Sequence, residues 1–115
     1  MQLVTQEKKI SRETLQIFSE KMFGGLVKAV VDINQAIMLV DAEMHADEET
    51  VLLEQGSQQA ALWGINLYPA EEGGSFLEFD SMINIRPGQG NRSRGVEDVE
   101  TQEKIRKIVE NLVEL

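Results

Sequence analysis

Arg86, Arg92 and Arg94 stand within nine residues of one another, in the stretch FLEFDSMINIRPGQGNRSR from Phe76 to Arg94. A guanidinium is a planar fork of donors that matches a carboxylate or a phosphate. The glycines between them let backbone come close to a ligand, and turn N–H groups beside them can form an anion nest. Asn91 adds an amide. The rest of the chain is acidic, with 20 Asp and Glu against 11 Lys and Arg and a net charge of −9. Positive charge concentrated in one loop therefore points to a small anionic or phosphorylated ligand, held by Arg86, Asn91, Arg92 and Arg94. The run GQGNRSRG has neither the lysine nor the spacing of a P-loop. The plain alternative is that these arginines neutralise Glu78, Asp80, Glu97 or Asp98.

His45, the single histidine, sits among Asp47, Glu48 and Glu49. A histidine beside carboxylates can act as a general base or hold a cation. HADEE is not HExxH, and no second histidine exists, so no metal site is assigned. Asp41, Glu43 or Asp80 would have to complete one. The plain alternative is an acidic helix start, which the helix dipole favours unaided. A third set, Asn66, Tyr68, Glu78, Asp80 and Asn84, falls on one strand surface. Glu78 and Asp80 are two residues apart, roughly 7 Å along a strand, close enough to share a proton or a cation. The plain alternative here is a solvated sheet face. Trp63 reads as core.

The elements that must position these residues follow from periodicity. Gln2 to Thr5 reads as a short strand. Ser11 is a good N-cap for a helix over Arg12 to Phe23, with Leu15, Phe18, Met22 and Phe23 on one side and Gly24-Gly25 as its end. Leu26 to Ile33 and Ala36 to Val40 read as a hairpin turning at Asn34-Gln35. Lys28 and Asp32 lie on one side of its first strand. Asp47 is expected to cap a helix running to about Gln55, with Gly56 as its C′ residue. Leu62 to Tyr68 is a third strand, with Trp63, Ile65 and Leu67 on one face and Gly64, Asn66 and Tyr68 on the other.

Phe76 to Arg86 is expected to be the fourth strand. Leu77, Phe79, Ser81, Ile83 and Ile85 would lie on one face, and Glu78, Asp80, Met82, Asn84 and Arg86 on the other. Parity places Leu67 opposite either Phe79 or Leu77, and Asn66 correspondingly opposite Asp80 or Glu78. Pro87 ends the strand. Asp98 caps a last helix whose core stripe is Thr101, Ile105, Ile108, Val109 and Leu112. The expected fold is α+β: a two-layer antiparallel sheet of two hairpins, with four or five strands and three helices. The face without helices would carry the polar residues, unless a second subunit covers it.

With 115 residues the chain is read as one domain, 1–115, large enough to bury a core. It has no cysteine, which removes disulfides and thiolate metal sites. The acidity disfavours nonspecific binding to duplex nucleic acid. The longest apolar runs fall far short of the ~20 residues that span a bilayer, and the N-terminus does not read as a signal peptide, so the expected location is cytoplasmic.

The blocks HADEE (His45 to Glu49), LLEQGS (Leu52 to Ser57), LWGINLYP (Leu62 to Pro69) and EFDSMINIRPGQGNRSRGVED (Glu78 to Asp98) resemble a family of small uncharacterised bacterial and archaeal proteins, a domain of unknown function. The resemblance covers nearly the whole chain. It implies that His45, Glu48, Trp63, Asn66, Asp80, Asn84, Arg86, Asn91, Arg92 and Arg94 lie inside the family's characteristic blocks, and it supplies no activity or cofactor. Ala36 departs from the glycine expected at the first hairpin's turn.

Three readings of function follow. The leading one is a binding module for a small anionic ligand, with Arg92 and Arg94 as the clamp, Arg86 and Asn91 orienting, and Asn66 and Asn84 on the adjoining surface. The rival is a small hydrolase using His45, Glu78 and Asp80. It requires His45 and Asp80 to come within reach of each other. The third is a structural protein that assembles as a homodimer.

Overall fold

The computed structural model describes residues 1–114. Its strands are β1 (Gln2–Val4), β2 (Ile10–Ser11), β3 (Val27–Asp32), β4 (Ile37–Val40), β5 (Leu62–Leu67), β6 (Leu77–Glu78) and β7 (Val113–Glu114). Its helices are α1 (Arg12–Ser19), α2 (His45–Glu54) and α3 (Val99–Leu112). Five strands form one antiparallel sheet in the order β1-β4-β3-β5-β6, and with three helices the protein is α+β. A separate two-residue parallel pairing joins β2 to β7.

The strand parities read from the sequence set the layers. Val27, Ala29, Val31, Met38, Val40, Trp63, Ile65 and Leu67 share one face. Leu15 of α1 and Ile105, Val109 and Leu112 of α3 cover that face to make the main core. Ser11 caps α1 by accepting the Thr14 N–H at 3.0 Å, and Asp98 caps α3 by accepting the Thr101 N–H at 3.0 Å. On the opposite face Val30, Leu39 and Leu62 meet Leu52 of α2 in a second, smaller cluster. The helices are thus shared between the faces, and the second face is polar at its Lys28–Asn66–Glu78 end and again at Asp32 by the β3–β4 turn.

Several local expectations are corrected. Helix α1 stops at Ser19 rather than Phe23. Phe23 is fully exposed, so another turn would bury nothing to offset its ordering. Helix α2 starts at His45, two residues before the expected cap Asp47, and its cap position, Met44, makes no side-chain capping bond, so no capping residue marks this start in the sequence. The β3–β4 hairpin forms, but its turn spans residues 33–36 rather than Asn34-Gln35, with Ala36 in the turn instead of the strand and in the left-handed region at φ 56° where glycine would be unstrained. The Asp32 carboxylate holds that turn by accepting the Asn34 N–H at 2.8 Å, the Gln35 N–H at 3.0 Å and the Ser57 hydroxyl at 2.7 Å. Burial pushes its pKa up, but those donors together outweigh burial and hold it below the usual carboxylate range.

The largest correction concerns Phe76 to Arg86. The register is the second of the two allowed, with Leu67 opposite Leu77 and Asn66 opposite Glu78. Ladder pairing then ends at Glu78. Ser81 becomes the cap of a short 3₁₀ turn over Met82–Asn84, and Ile83 packs on the second cluster instead of sharing a face with Leu77 and Phe79.

Candidate functional site

Beyond Glu78 the chain still runs along β5, but side chains take over from the ladder. The Asn84 amide accepts the Gly64 N–H at 2.8 Å and donates to the Gly64 carbonyl at 3.0 Å. Arg86 donates Nη2 to the Leu62 carbonyl at 2.6 Å and Nη1 to the Gln59 carbonyl, with its guanidinium 4.3 Å from the centre of the Trp63 ring. The edge groups of β5 are satisfied without a partner strand, as buried backbone requires.

The loop that follows is built the same way. Asn91 donates to the carbonyls of Asn84 and Gly95, both at 2.8 Å, and accepts the Glu97 N–H at 2.9 Å. The N–H groups of Arg92 and Ser93 form the nest expected of this loop. Its occupant is the protein's own Glu97 carboxylate, at 2.7 and 2.8 Å. Those two backbone donors hold the Glu97 pKa below the usual range.

Of the six residues expected to bind a ligand, Asn84 and Asn91 spend their amide donors, and Arg86 its two NH₂ groups, on backbone carbonyls. Arg92 projects from the exposed rim of the loop. The other two, Asn66 and Arg94, line a cleft of about 160 Å³ together with Lys28, His45, Asp80 and Ser81. The expected catalytic candidates divide as well. His45 and Asp80 meet in this cleft, whereas Glu78 is tied to the Asn66 amide at 2.9 Å and the Tyr68 hydroxyl at 3.0 Å.

Each lining group has an identifiable position and charge. Lys28 stands opposite Asn66 in the β3–β5 register. Asn66 donates its NH₂ to Glu78 and to the Asp80 carbonyl, which fixes which way the amide points. Among the described residues its Oδ1 has no partner, although the residue is only 6% exposed. Arg94 bonds Asp80 Oδ1 through Nε at 2.6 Å. Among the described residues, no acceptor bonds its two terminal NH₂ groups.

His45 opens α2 and bonds the Ile65 carbonyl through Nε2 at 2.8 Å. A carbonyl only accepts, so Nε2 carries the hydrogen and Nδ1 keeps its lone pair. Burial lowers the His45 pKa, and the opposing pull of the Ile65 carbonyl and of Asp80 does not restore it. The ring is neutral at pH 7.

Ser81 is not an activated nucleophile. It is buried, and its Oγ accepts the Ile83 N–H at 3.3 Å. It packs against Gly64, where an added Cβ would lie 2.5 Å from both Ser81 Cβ and Oγ and 3.2 Å from His45 Cδ2. Gly64 is therefore what allows Ser81 and His45 to close over β5 at the base of the cleft.

Sequence reasoning passed over Lys28 and Ser81. Lys28 was legible: its side of β3 and the Asn66 side of β5 are one face once the two strands pair. Ser81 was not, because its place depends on the break after β6. Among the described residues, no three or more His, Asp or Glu side chains are grouped so as to hold a metal ion. None of the described helices is long and apolar enough to cross a membrane. A second groove, of about 350 Å³, lies on the opposite side between α3 and the Gly73–Leu77 segment, with Arg12, Phe76, Arg106 and Val109 in its walls.

No curated protein and no solved structure matches this chain significantly. A protein family of unknown function, DUF5674, matches residues 3–112, the span that contains all of the five-stranded sheet but Gln2, all three helices and the whole cleft. The chain belongs to the DUF5674 family.

Proposed function

We propose that the protein binds a small anion in the cleft between Lys28 and Arg94. The observation that carries this reading is the Arg94 side chain. Asp80 engages only its Nε, which leaves both NH₂ groups open beside a lysine in a chain of net charge −9. Asp80 sets the guanidinium's direction, and the remaining face of the fork suits a carboxylate or a phosphate oxygen. The loop arginines thus divide. Arg94 contacts the ligand, Arg86 braces β5, and Arg92 takes no part. Thermal-shift titration with inorganic phosphate and with short carboxylates tests this. Stabilisation should be lost in Arg94→Gln and Lys28→Gln and kept in Arg92→Gln. Retention in Arg94→Gln would refute the reading.

One observation favours a second reading, a hydrolase. The neutral His45 shares the cleft with Asp80 and keeps an unprotonated Nδ1, as a general base for a water molecule requires. Turnover of ester and phosphomonoester panels that disappears in His45→Gln would support it. Absence of turnover across those panels would count against it.

A further inference from the structure

The cleft is not a plain anion hole. Acceptors sit next to its two cations: Asp80 uses Oδ1 for Arg94, no described donor bonds its Oδ2, and His45 presents a lone pair on Nδ1. A ligand that was only an anion would leave these acceptors unmet and would face the Asp80 carboxylate. The rim adds a third element. Met44 and Met82 both line the cleft, and they are 58% and 65% exposed. The two methionines, with Ala46 and Ile83 beside them in the lining, form an adaptable apolar edge for a nonpolar group passing between them.

We infer that the occupant is a zwitterion, a small α-amino acid with an apolar side chain. Its carboxylate lies on Arg94 and Lys28, its ammonium lies against Asp80 and His45, and its side chain leaves the cleft between Met44 and Met82. The size is consistent. The 160 Å³ is many times the about 10–15 Å³ that one water needs, so the cleft admits the five heavy atoms of an amino-acid head group, and the side chain then emerges at the methionine rim.

This inference rests on the anion-binding reading, and the experiment separates the two. Calorimetric titration of the full chain compares L-leucine with N-acetyl-L-leucine, L-leucinamide, 4-methylpentanoate and inorganic phosphate. Leucine should bind at least tenfold more tightly than each of the others. Asp80→Asn, whose Oδ1 can still accept from Arg94 Nε, should weaken leucine about tenfold and should not weaken 4-methylpentanoate, with the amide spectrum confirming the fold. Met82→Ser should weaken leucine but not glycine. Binding of 4-methylpentanoate, N-acetyl-leucine or phosphate as tight as that of leucine overturns the zwitterion and leaves the anion reading standing. Binding of none of the five ligands overturns both.

Discussion

The Asn84 side chain pairs with both backbone groups of Gly64, accepting its N–H at 2.8 Å and donating to its carbonyl at 3.0 Å. One amide thereby replaces a residue of the missing neighbour strand. The same NH₂ donates to the Arg94 carbonyl at 2.9 Å. The sheet edge and the backbone of the ligand-facing arginine are tied to one side chain.

Asn84→Ala should therefore destabilise the fold strongly. Leaving a buried backbone donor and acceptor unmet costs about 1–3 kcal/mol for each group. For the two groups urea denaturation should show a loss of about 2–6 kcal/mol. A loss below 1 kcal/mol would mean that water replaces the amide without penalty.

Gly64→Ala should be damaging for a different reason, since its methyl would land 2.5 Å from Ser81. Overpacking of this kind costs about 1–3 kcal/mol. Ser81→Gly removes the opposing atoms, so the double variant should be more stable than Gly64→Ala alone. Simple additivity in the mutant cycle would contradict the contact.

The elements that repeat regularly were legible in the sequence, and those that break a repeat were not. Strand parity placed Trp63, Ile65 and Leu67 on the core face and limited the β5–β6 register to two choices. Ser11 and Asp98 announced α1 and α3, because each has a side chain able to cap. Helix α2 begins behind Met44, which cannot cap, so the nearest acid, Asp47, marked the wrong residue. The alternation of Leu77, Phe79, Ile83 and Ile85 looked like one long strand. Nothing in that pattern reveals that Asn84 and Arg86 would bond to β5 through side chains. For the same reason the arginine cluster looked like a single site. Where each guanidinium points depends on that break.

Glu48 lies fully buried on α2. Among the described residues neither of its oxygens has a hydrogen-bond partner, and the pull of the Ala42 backbone falls well short of offsetting burial. Burial pushes its pKa from 4.5 to about 10. The native state therefore keeps a proton that the unfolded chain releases. Stability from this group is complete below pH 4.5 and declines as pH rises towards 10, by about 1.4 kcal/mol per pH unit. Glu48→Gln should match the wild type near pH 4 and melt at a higher temperature at pH 8. His45 acts in the opposite sense. Its lowered pKa gives stability that is present above pH 6.5 and lost on acidification, and Glu48→Gln should leave that acid limb intact. Parallel melting profiles for Glu48→Gln and the wild type from pH 5 to 9 would contradict the buried neutral acid.

Glu97 fills the nest formed by the Arg92 and Ser93 amides. Glu97→Ala should vacate it and create a weak site for sulfate, seen as shifts of those two amide resonances on titration. The wild type should show no such shifts. Because the Glu97 pKa is depressed, its contribution to stability holds above the ordinary carboxylate pKa of 4.5 and fades as pH falls below it.

The central claim is that Arg94 and Lys28, and not the glycine-rich loop as a whole, face the ligand. Amide and side-chain NMR during titration with L-leucine and with phosphate tests it most directly. The account predicts shifts confined to Lys28, Met44 to Ala46, Asn66, Asp80 to Ile83 and the Arg94 guanidinium, and their loss in Arg94→Gln. Shifts centred on Arg86, Arg92 or the Gly88–Gly90 turn, or unchanged shifts in Arg94→Gln, would contradict it.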